Sequence, residues 1–339
     1  MDMRNIMVRS PNWIGDFVLS VPAIRALQSR FPRAKLTVVA HKRVSDLALM
    51  VEGVESVVEY DGGALGRGIG RLMGFSQRIS SEPIDLSVIF PLSFSSALMS
   101  YFSGARRRLG YSTEMRGFLL TDRVALPSNY RANHLSESYS NLLGEIGVEG
   151  RSDEPQLSIP RSCEKAERIL RKAGLNKDKM IVGMAPYAAY GPAKRWPIEN
   201  FLHLAMNLLK KYDCRVMLFG SEEDAGPYRE SPVRSDGILN LCGKLDLRAS
   251  AYMLKRCACL ISNDTGIAHV AAAVGTPVVS IFGSTSPSWT SPIGKRNVVV
   301  YERVDCSPCF DRECRFCDYR CLHSVTTDAV FEAVQEVLE

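Results

Sequence analysis

A chain of 339 residues, 46% hydrophobic and 23% charged, has the composition of an ordinary soluble globular protein and is long enough for two domains, each with its own core. Lys and Arg outnumber Asp and Glu by 42 to 37, a net charge of +5 that admits anionic ligands or an anionic membrane surface and gives no reason to expect nucleic acid. There is no run of eighteen apolar residues, and the short apolar stretch at 17–23 follows Asp16, so neither a membrane span nor a signal peptide is expected.

In chain order, Ile6–Val8 reads as a first strand and Ser10–Asp16 as a loop. A helix over Phe17–Ser29 follows, with Pro22 early enough to kink it rather than end it. Leu36–Ala40 is a second strand and Val44–Val51 a helix. Ser56–Tyr60 and Ile84–Phe90 are strands around a helix near Gly70–Ser80, and Ser95–Phe102 and Leu135–Ile146 are helices. This alternation predicts a parallel sheet covered on both faces. Residues 149–162 are polar and broken by proline, which marks a linker and divides the chain into domains of 1–155 and 156–339. The pattern then restarts: helix Glu164–Ala173, strand Met180–Met184, helix Ile198–Tyr212, strands Arg215–Phe219 and Leu239–Leu241, and helix Leu247–Arg256. Strand Cys259–Ser262, a small-residue helix over Ile267–Val274, strands Val278–Phe282 and Asn297–Tyr301, and a last helix at Thr327–Leu338 complete it, the last helix being free to pack back on the N-terminal domain. The expected fold class is α/β: two doubly wound, Rossmann-like domains whose strand ends face a cleft.

Several motifs are absent. There is no G-x-x-x-x-G-K-[ST], G-x-S-x-G or H-E-x-x-H, and Gly66–Gly70 lacks dinucleotide spacing. The chemistry-bearing residues sit at strand ends instead. Asn263-Asp264-Thr265-Gly266 joins a strand to a helix, so free backbone N–H groups at the helix start suit a phosphate, although a plain capped βαβ unit has the same form. Asp16, in Pro11-Asn12-Trp13-Ile14-Gly15-Asp16, is placed to be a general base or simply to cap the following helix. Lys194 and Arg195, in the Gly- and Pro-rich stretch 185–197, offer paired cations to a diphosphate. Glu222, after the strand ending at Phe219, sits where a carboxylate accepts from ribose hydroxyls, or where acids merely complement a helix N-terminus.

With Pro11–Asp16, Tyr190-Gly191-Pro192-Ala193-Lys194-Arg195-Trp196-Pro197 and Asn263–Ala273 in this order, the chain resembles glycosyltransferase family 9, the ADP-heptose:lipopolysaccharide heptosyltransferases of two-domain GT-B architecture. The form Gly-Pro-Ala-Lys-Arg-Trp-Pro is most similar to the heptosyltransferase II branch, which adds the second heptose of the inner core. The resemblance implies that Asp16 deprotonates the acceptor hydroxyl in a single displacement with inversion, and that Lys194, helped by Arg195, offsets charge on the departing ADP. It implies that Asp264 organises the sugar–diphosphate and that Thr265 and Gly266 give N–H groups to the phosphates. Glu222 is expected at the ribose, Leu245 beside the adenine, and His269 at either the ligand or a helix–sheet contact. Asn12, Trp13 and the cluster Arg106, Arg107 and Arg116 are expected to meet the anionic acceptor, Arg106–Arg108 also reading as a solvated charge run. No cofactor is required and no D-x-D metal motif occurs. The expected setting is cytoplasmic, peripheral on the inner face of the inner membrane, as a monomer without nucleic acid. A family member with another sugar or acceptor (heptosyltransferase I-like), or a non-catalytic nucleotide-sugar binder, are the alternatives.

One feature stands outside this mechanism. Five of the ten cysteines crowd into Cys306, Cys309, Cys314, Cys317 and Cys321. Two C-x-x-C pairs, Cys306 with Cys309 and Cys314 with Cys317, have the form of a structural zinc site, although their spacing is shorter than in zinc ribbons; disulfides formed on isolation and reduced thiols stay open.

Overall fold

The computed structural model describes residues 3–62, 68–149, 154–175, 179–233 and 235–339. The glycine-rich stretch 66–70 and the linker 149–162 therefore fall partly outside the described residues. The chain divides into two compact units, Met1–Ser158 and Ile159–Glu339.

The first unit contains β1 (Asn5–Arg9), α1 (Ile14–Arg30), β2 (Lys35–His41), α2 (Ser45–Ala48), β3 (Ser56–Tyr60), α3 (Ile69–Ser76), β4 (Leu86–Ile89), α4 (Phe94–Phe102), β5 (Arg107–Tyr111), a 3-10 turn at Arg116–Leu119, β6 (Asp122–Val124) and α5 (Leu135–Gly144). Its six strands are parallel in the order β3-β2-β1-β4-β5-β6. The central strands are apolar runs buried on both faces, as a sheet covered by helices requires. Strands β5 and β6 were not apparent from the sequence because Arg107-Arg108 opens one and Asp122-Arg123 the other. Both lie toward the sheet edge, where charged side chains reach water. Helix α1 runs unbroken through Pro22, with ten consecutive or near-consecutive buried residues from Phe17 to Leu27.

The second unit contains α6 (Glu164–Lys172), β7 (Met180–Ala185), a 3-10 turn at Pro192–Lys194, α7 (Ile198–Lys211), β8 (Cys214–Leu218), α8 (Ala225–Glu230), β9 (Ile238–Asn240), α9 (Leu247–Lys255), β10 (Cys259–Asn263), α10 (Gly266–Ala273), β11 (Val278–Phe282), α11 (Pro287–Thr290), β12 (Asn297–Tyr301), α12 (Arg320–His323) and α13 (Thr327–Leu338). Its parallel strands run β12-β11-β10-β7-β8-β9, which is the same winding as the first sheet when strands are counted from β7. In each sheet the order reverses between the first and fourth strands, so a crevice opens at the carboxyl ends of β1 and β4 and of β7 and β10. The core of this unit gathers Val182, Met184, Trp196, Phe201, Leu218, Ile261 and Ile281. Full burial of each large apolar side chain is worth about 1.5–3 kcal/mol. The last helix buries Val330, Val334 and Val337 in that same core, beside α7 and strands β10 to β12. Its apolar face is thus taken up within its own unit.

Candidate active site

The loop after β1 is built on a buried cation. Arg9 is 2% exposed; its guanidinium donates to the Ser10 carbonyl, to Tyr60 Oη and, at 2.8 Å, to Asn12 Oδ1. Tyr60 Oη also donates to Asn12 Oδ1 at 2.6 Å. Burial pulls the Arg9 pKa down to about 10, opposed by Tyr60, and burial pushes the Tyr60 hydroxyl up. Asn12 thus has its side-chain oxygen held twice from beneath, while the residue itself stays exposed. Trp13 is exposed beside Arg43, whose guanidinium carbon lies 5.5 Å from the ring centroid. Trp13 occupies the N-cap position of α1, so Asp16 is the third residue of the helix and not its cap. The Asp16 side chain is half-buried, and its charge helps, after burial, to raise Tyr139 well above the ordinary tyrosine range.

The expected acceptor arginines fare differently from one another. Arg106 is exposed and pairs with Asp85 at 3.2 Å. Arg107 pairs with Asp122 along the sheet edge. Arg116 is fully buried, donating to the carbonyls of Tyr111 (2.8 Å), Pro91 (2.6 Å) and Ser93 (2.9 Å). A guanidinium enclosed in this way cannot meet an acceptor; Arg116 is a pin for its turn, which corrects the reading of it as a ligand.

In the second unit, the carboxyl ends of β7 and β10 lie side by side at the switch point. Lys194, from the loop after β7, forms an ion pair with Asp264, the residue after β10; their side chains are 13% and 5% exposed. Thr285, from the loop after β11, donates its hydroxyl to Asp264 Oδ2 at 2.5 Å. Asn263 stitches the two loops: its Oδ1 accepts from Trp196 N at 3.0 Å and its Nδ2 donates to Pro186 O at 2.7 Å. The buried Trp196 donates its indole N–H to Val325 O at 2.9 Å and anchors the end of the Lys194 loop. Arg195 Nε donates to Ala188 O at 3.1 Å, bracing the same loop from within.

Helix α10 starts at Gly266 with Thr265 at the N-cap and no side-chain hydrogen bond capping it. Its first N–H groups therefore face outward with the positive end of the helix behind them. His269 is buried in the helix body. Farther along the sheet, Glu222 is exposed after β8 and Leu245 half-buried after β9. Their loops are joined by Gly243 N–H to Gly220 O at 3.0 Å, and a Cβ on Gly243 would press on Glu222. The sequence-assigned residues of this unit thus line up on one sheet edge in the strand order β10, β7, β8, β9: Asp264, Thr265 and Gly266, then Lys194, then Glu222, then Leu245.

Comparison with known proteins gives this geometry a lineage. The family model for glycosyltransferase family 9 (heptosyltransferase) matches residues 73–320. The chain belongs to that family. It is 32% identical over 307 residues to lipopolysaccharide heptosyltransferase 2 of Salmonella typhimurium, covering 87% of each chain. It is 30% identical over 309 residues to lipopolysaccharide heptosyltransferase 2 of Escherichia coli K12, again covering 87% of each. The solved E. coli ADP-heptose lps heptosyltransferase II superimposes with a TM-score of 0.84 at 26% identity, covering 99% of this chain and 98% of that one. The two parallel six-stranded sheets are thus those of a family 9 glycosyltransferase of GT-B architecture.

Set in a glycosyltransferase, the structure adds residues that the sequence left unassigned. Tyr190 carries two cations over its ring, Lys194 Nζ at 4.7 Å and the Arg312 guanidinium carbon at 5.3 Å from the centroid. Its hydroxyl donates to Phe310 O at 2.5 Å. The Arg312 carbonyl accepts from Ala193 N at 3.1 Å, and a Cβ on Gly191 would collide with that same oxygen. The cysteine-bearing loop is therefore seated directly on the Lys194 loop. Thr285 carried a usable signal, since Gly283-Ser284-Thr285 follows a predicted strand, as do the other site loops. Arg312 carried none, because its place depends on a backbone contact more than a hundred residues away in sequence.

Within the cysteine loop, Cys306, Cys309, Cys314 and Cys321 line one small cavity together with Ala193 and Ser284, whereas Cys317 is exposed. The fourth thiol at that cavity is Cys321, not Cys317 as the paired C-x-x-C spacing suggested. A left-handed backbone at Cys317 turns the chain there. Burial pushes the Cys321 thiol up, aided by the other three. Cys314 Sγ donates to Asp318 Oδ1 at 3.6 Å. All ten cysteines are free thiols, and among the described residues no group of three or more His, Cys, Asp or Glu is disposed to hold a metal ion.

Proposed function

We propose that the protein transfers heptose from ADP-L-glycero-D-manno-heptose to the inner-core heptose of lipopolysaccharide, with inversion at the anomeric carbon. The single observation that carries this reading is the Lys194–Asp264 pair at the switch point, beside the uncapped start of α10. A cation already oriented by a buried carboxylate, next to free N–H groups at a helix start, suits the diphosphate of a nucleotide sugar. The second unit, residues 156–339 in the sequence division, then holds the donor. Thr265 and Gly266 give N–H groups to the phosphates, Glu222 takes the ribose and Leu245 flanks the adenine. Lys194 exchanges part of its bond to Asp264 for the diphosphate, and Arg312 adds a second cation against the Tyr190 ring.

The first unit, residues 1–155, holds the acceptor through Asn12, Trp13 and Arg106. As the acceptor oxygen bonds to the anomeric carbon, the bond from that carbon to ADP breaks, and the hydroxyl proton passes to the Asp16 carboxylate. The charge left on ADP is met by Lys194, Arg312 and the α10 N-terminus, so no metal is called on for this step. The enzyme works as a monomer in the cytoplasm, peripheral on the inner face of the inner membrane, where its lipid-linked acceptor lies.

The deciding experiment supplies ADP-heptose with either mono-heptosylated or unheptosylated Kdo₂-lipid A. Transfer to the mono-heptosylated acceptor alone is expected. Preference for the unheptosylated acceptor would reassign the enzyme to the first addition, and turnover with neither would remove the heptosyltransferase reading.

A further inference from the structure

The surface around the turn at 114–119 of the first unit has a form that transfer chemistry does not require. Met115 is 91% exposed, Phe118 67%, Tyr101 50% and Phe94 38%. These side chains are connected. Phe94 and Phe118 have ring centroids 6.1 Å apart. Phe94 and Tyr101 are seven residues apart on α4, hence on one face of the helix. Tyr101 lies under Arg108, whose Nε reaches back to Leu119 O in the turn at 2.6 Å.

The turn is held by costly means. Glu114 and Met115 both adopt left-handed backbone, with φ of 45° and 57°, which L-residues other than Asn, Asp or Gly seldom do. The Glu114 carboxylate is tied to Phe94 N at 2.8 Å, and the buried Arg116 clamps the turn to three carbonyls. Burying an arginine costs free energy, which its hydrogen bonds to three neutral carbonyls offset in part. What the geometry of the turn does is to push Met115 and Phe118 outward into water.

Cations border the patch. Arg123 runs its aliphatic chain past Gly117, and Arg108 and the exposed Arg106 lie along β5 and its approach. The neighbouring acids are already engaged: Glu114 by the Phe94 N–H, Asp85 by Arg106 and Asp122 by Arg107. Counting Arg106, Arg107, Arg108, Arg116 and Arg123 against these three acids leaves the region net positive. Exposed apolar side chains rimmed by arginines match an interface of anionic headgroups over acyl chains.

We infer that the face formed by Met115, Phe118, Phe94 and Tyr101 docks the protein on an anionic phospholipid bilayer. Met115 and Phe118 enter the headgroup–acyl boundary while Arg108 and Arg123 meet lipid phosphates. This deepens the membrane-side setting proposed above and rests on it, so its test is separated from heptose transfer. The intact protein is floated with vesicles of phosphatidylglycerol and phosphatidylethanolamine, and with phosphatidylcholine alone, with neither donor nor acceptor present. Binding to the anionic vesicles is expected, weakening between low and physiological salt. Met115→Asp, whose new residue tolerates left-handed backbone, and Phe118→Asp should each lower the bound fraction at least about tenfold. Arg123→Glu should weaken binding and flatten its salt dependence.

Transfer to a deacylated, soluble acceptor is measured in parallel and should be unchanged in the two Asp variants, which also reports that they fold. Failure of the unmodified protein to float, or equal flotation of both Asp variants, overturns the docking face whatever the transfer assay gives. Flotation without any heptose transfer instead overturns the proposed function and leaves the docking face standing.

Discussion

The loops that follow β1 and β7 occupy equivalent places in two sheets of the same strand order, and each is organised by a cation, yet the cations do different work. Arg9 is enclosed and bonded only to neutral oxygens, those of Ser10, Asn12 and Tyr60. Burial lowers its pKa to about 10, which still leaves it charged at neutral pH. It has no anion to exchange, so it acts as a fixed pin beneath Asn12 and the start of α1. Lys194 is bonded to a carboxylate, at a loop mouth with residual exposure. It can trade that partner for a stronger anion such as a diphosphate. One topology thus yields a rigid platform in the first unit and an exchangeable charge in the second, and the roles proposed above for acceptor activation and leaving-group stabilisation rest on that division.

The largest effect should come from breaking the platform at its functional end. Asp16→Asn keeps the shape and removes the carboxylate proposed to accept the proton. Transfer is expected to fall by at least about 100-fold, with ADP affinity unchanged in a direct titration. Turnover within threefold of the unmodified enzyme would remove Asp16 as the base. Next comes the exchangeable cation. Lys194→Ala should lower kcat/KM about 10- to 100-fold and weaken ADP binding together, because it removes a charged bond that is used in both states. It should also lower Tm, since it takes the cation away from the buried Asp264 carboxylate and, among the described residues, leaves it the Thr285 hydroxyl. Arg312→Ala belongs to the same arm. It should weaken ADP more than AMP, and Arg312→Lys should restore part of the loss; equal losses for ADP and AMP would take Arg312 off the diphosphate.

A smaller effect tests the pin. Tyr60→Phe deletes the hydroxyl that bonds both Arg9 and Asn12 and leaves the ring under the guanidinium. A stability loss of about 1–2 kcal/mol is expected from the weakened buried network. Transfer should fall less than in Asp16→Asn and ADP affinity should hold. Were ADP affinity to fall as much as transfer, the clean separation between the two loops would be lost.

Much of this was legible in the sequence, and the reasons for the remainder are physical. The βα alternation follows from apolar runs of strand length between amphipathic helices, and the expected bounds of α13 are those observed. Lys194 and Asp264 were both named, because strand-end loops rich in Gly, Pro and Asp are local signals. Their union into one ion pair was not, since it depends on β7 and β10 becoming neighbours across some seventy residues. Arg116 departs from its expected role for the same reason: an arginine a few residues after the Arg106–Arg108 run looks like surface charge until the fold closes three carbonyls around it. The cysteine loop was read by spacing alone, and spacing does not reveal that Cys317 faces out while Cys321 turns in.

The smallest effect sharpens the comparison by touching neither loop. Asp122 on β6 accepts from Arg107, the main cause of a carboxyl held below its usual range, and from Thr121 Oγ1 at 2.6 Å, with partial burial opposing. A carboxylate with a lowered folded pKa stabilises the fold above the unfolded value of about 3.9, and that stabilisation is lost as pH falls through the lower folded value. Asp122→Asn should therefore be slightly less stable at pH 7, by less than about 1 kcal/mol for a pair this close to solvent. The gap to the unmodified protein should close as pH drops below 4, while transfer at pH 7 stays the same. A gap that persists unchanged in acid would mean that Asp122 acts through packing rather than charge. Loss of transfer at pH 7 would mean that the edge of the first sheet is coupled to the Asp16 platform, so that the rigid half of the comparison extends well beyond Arg9 and Tyr60.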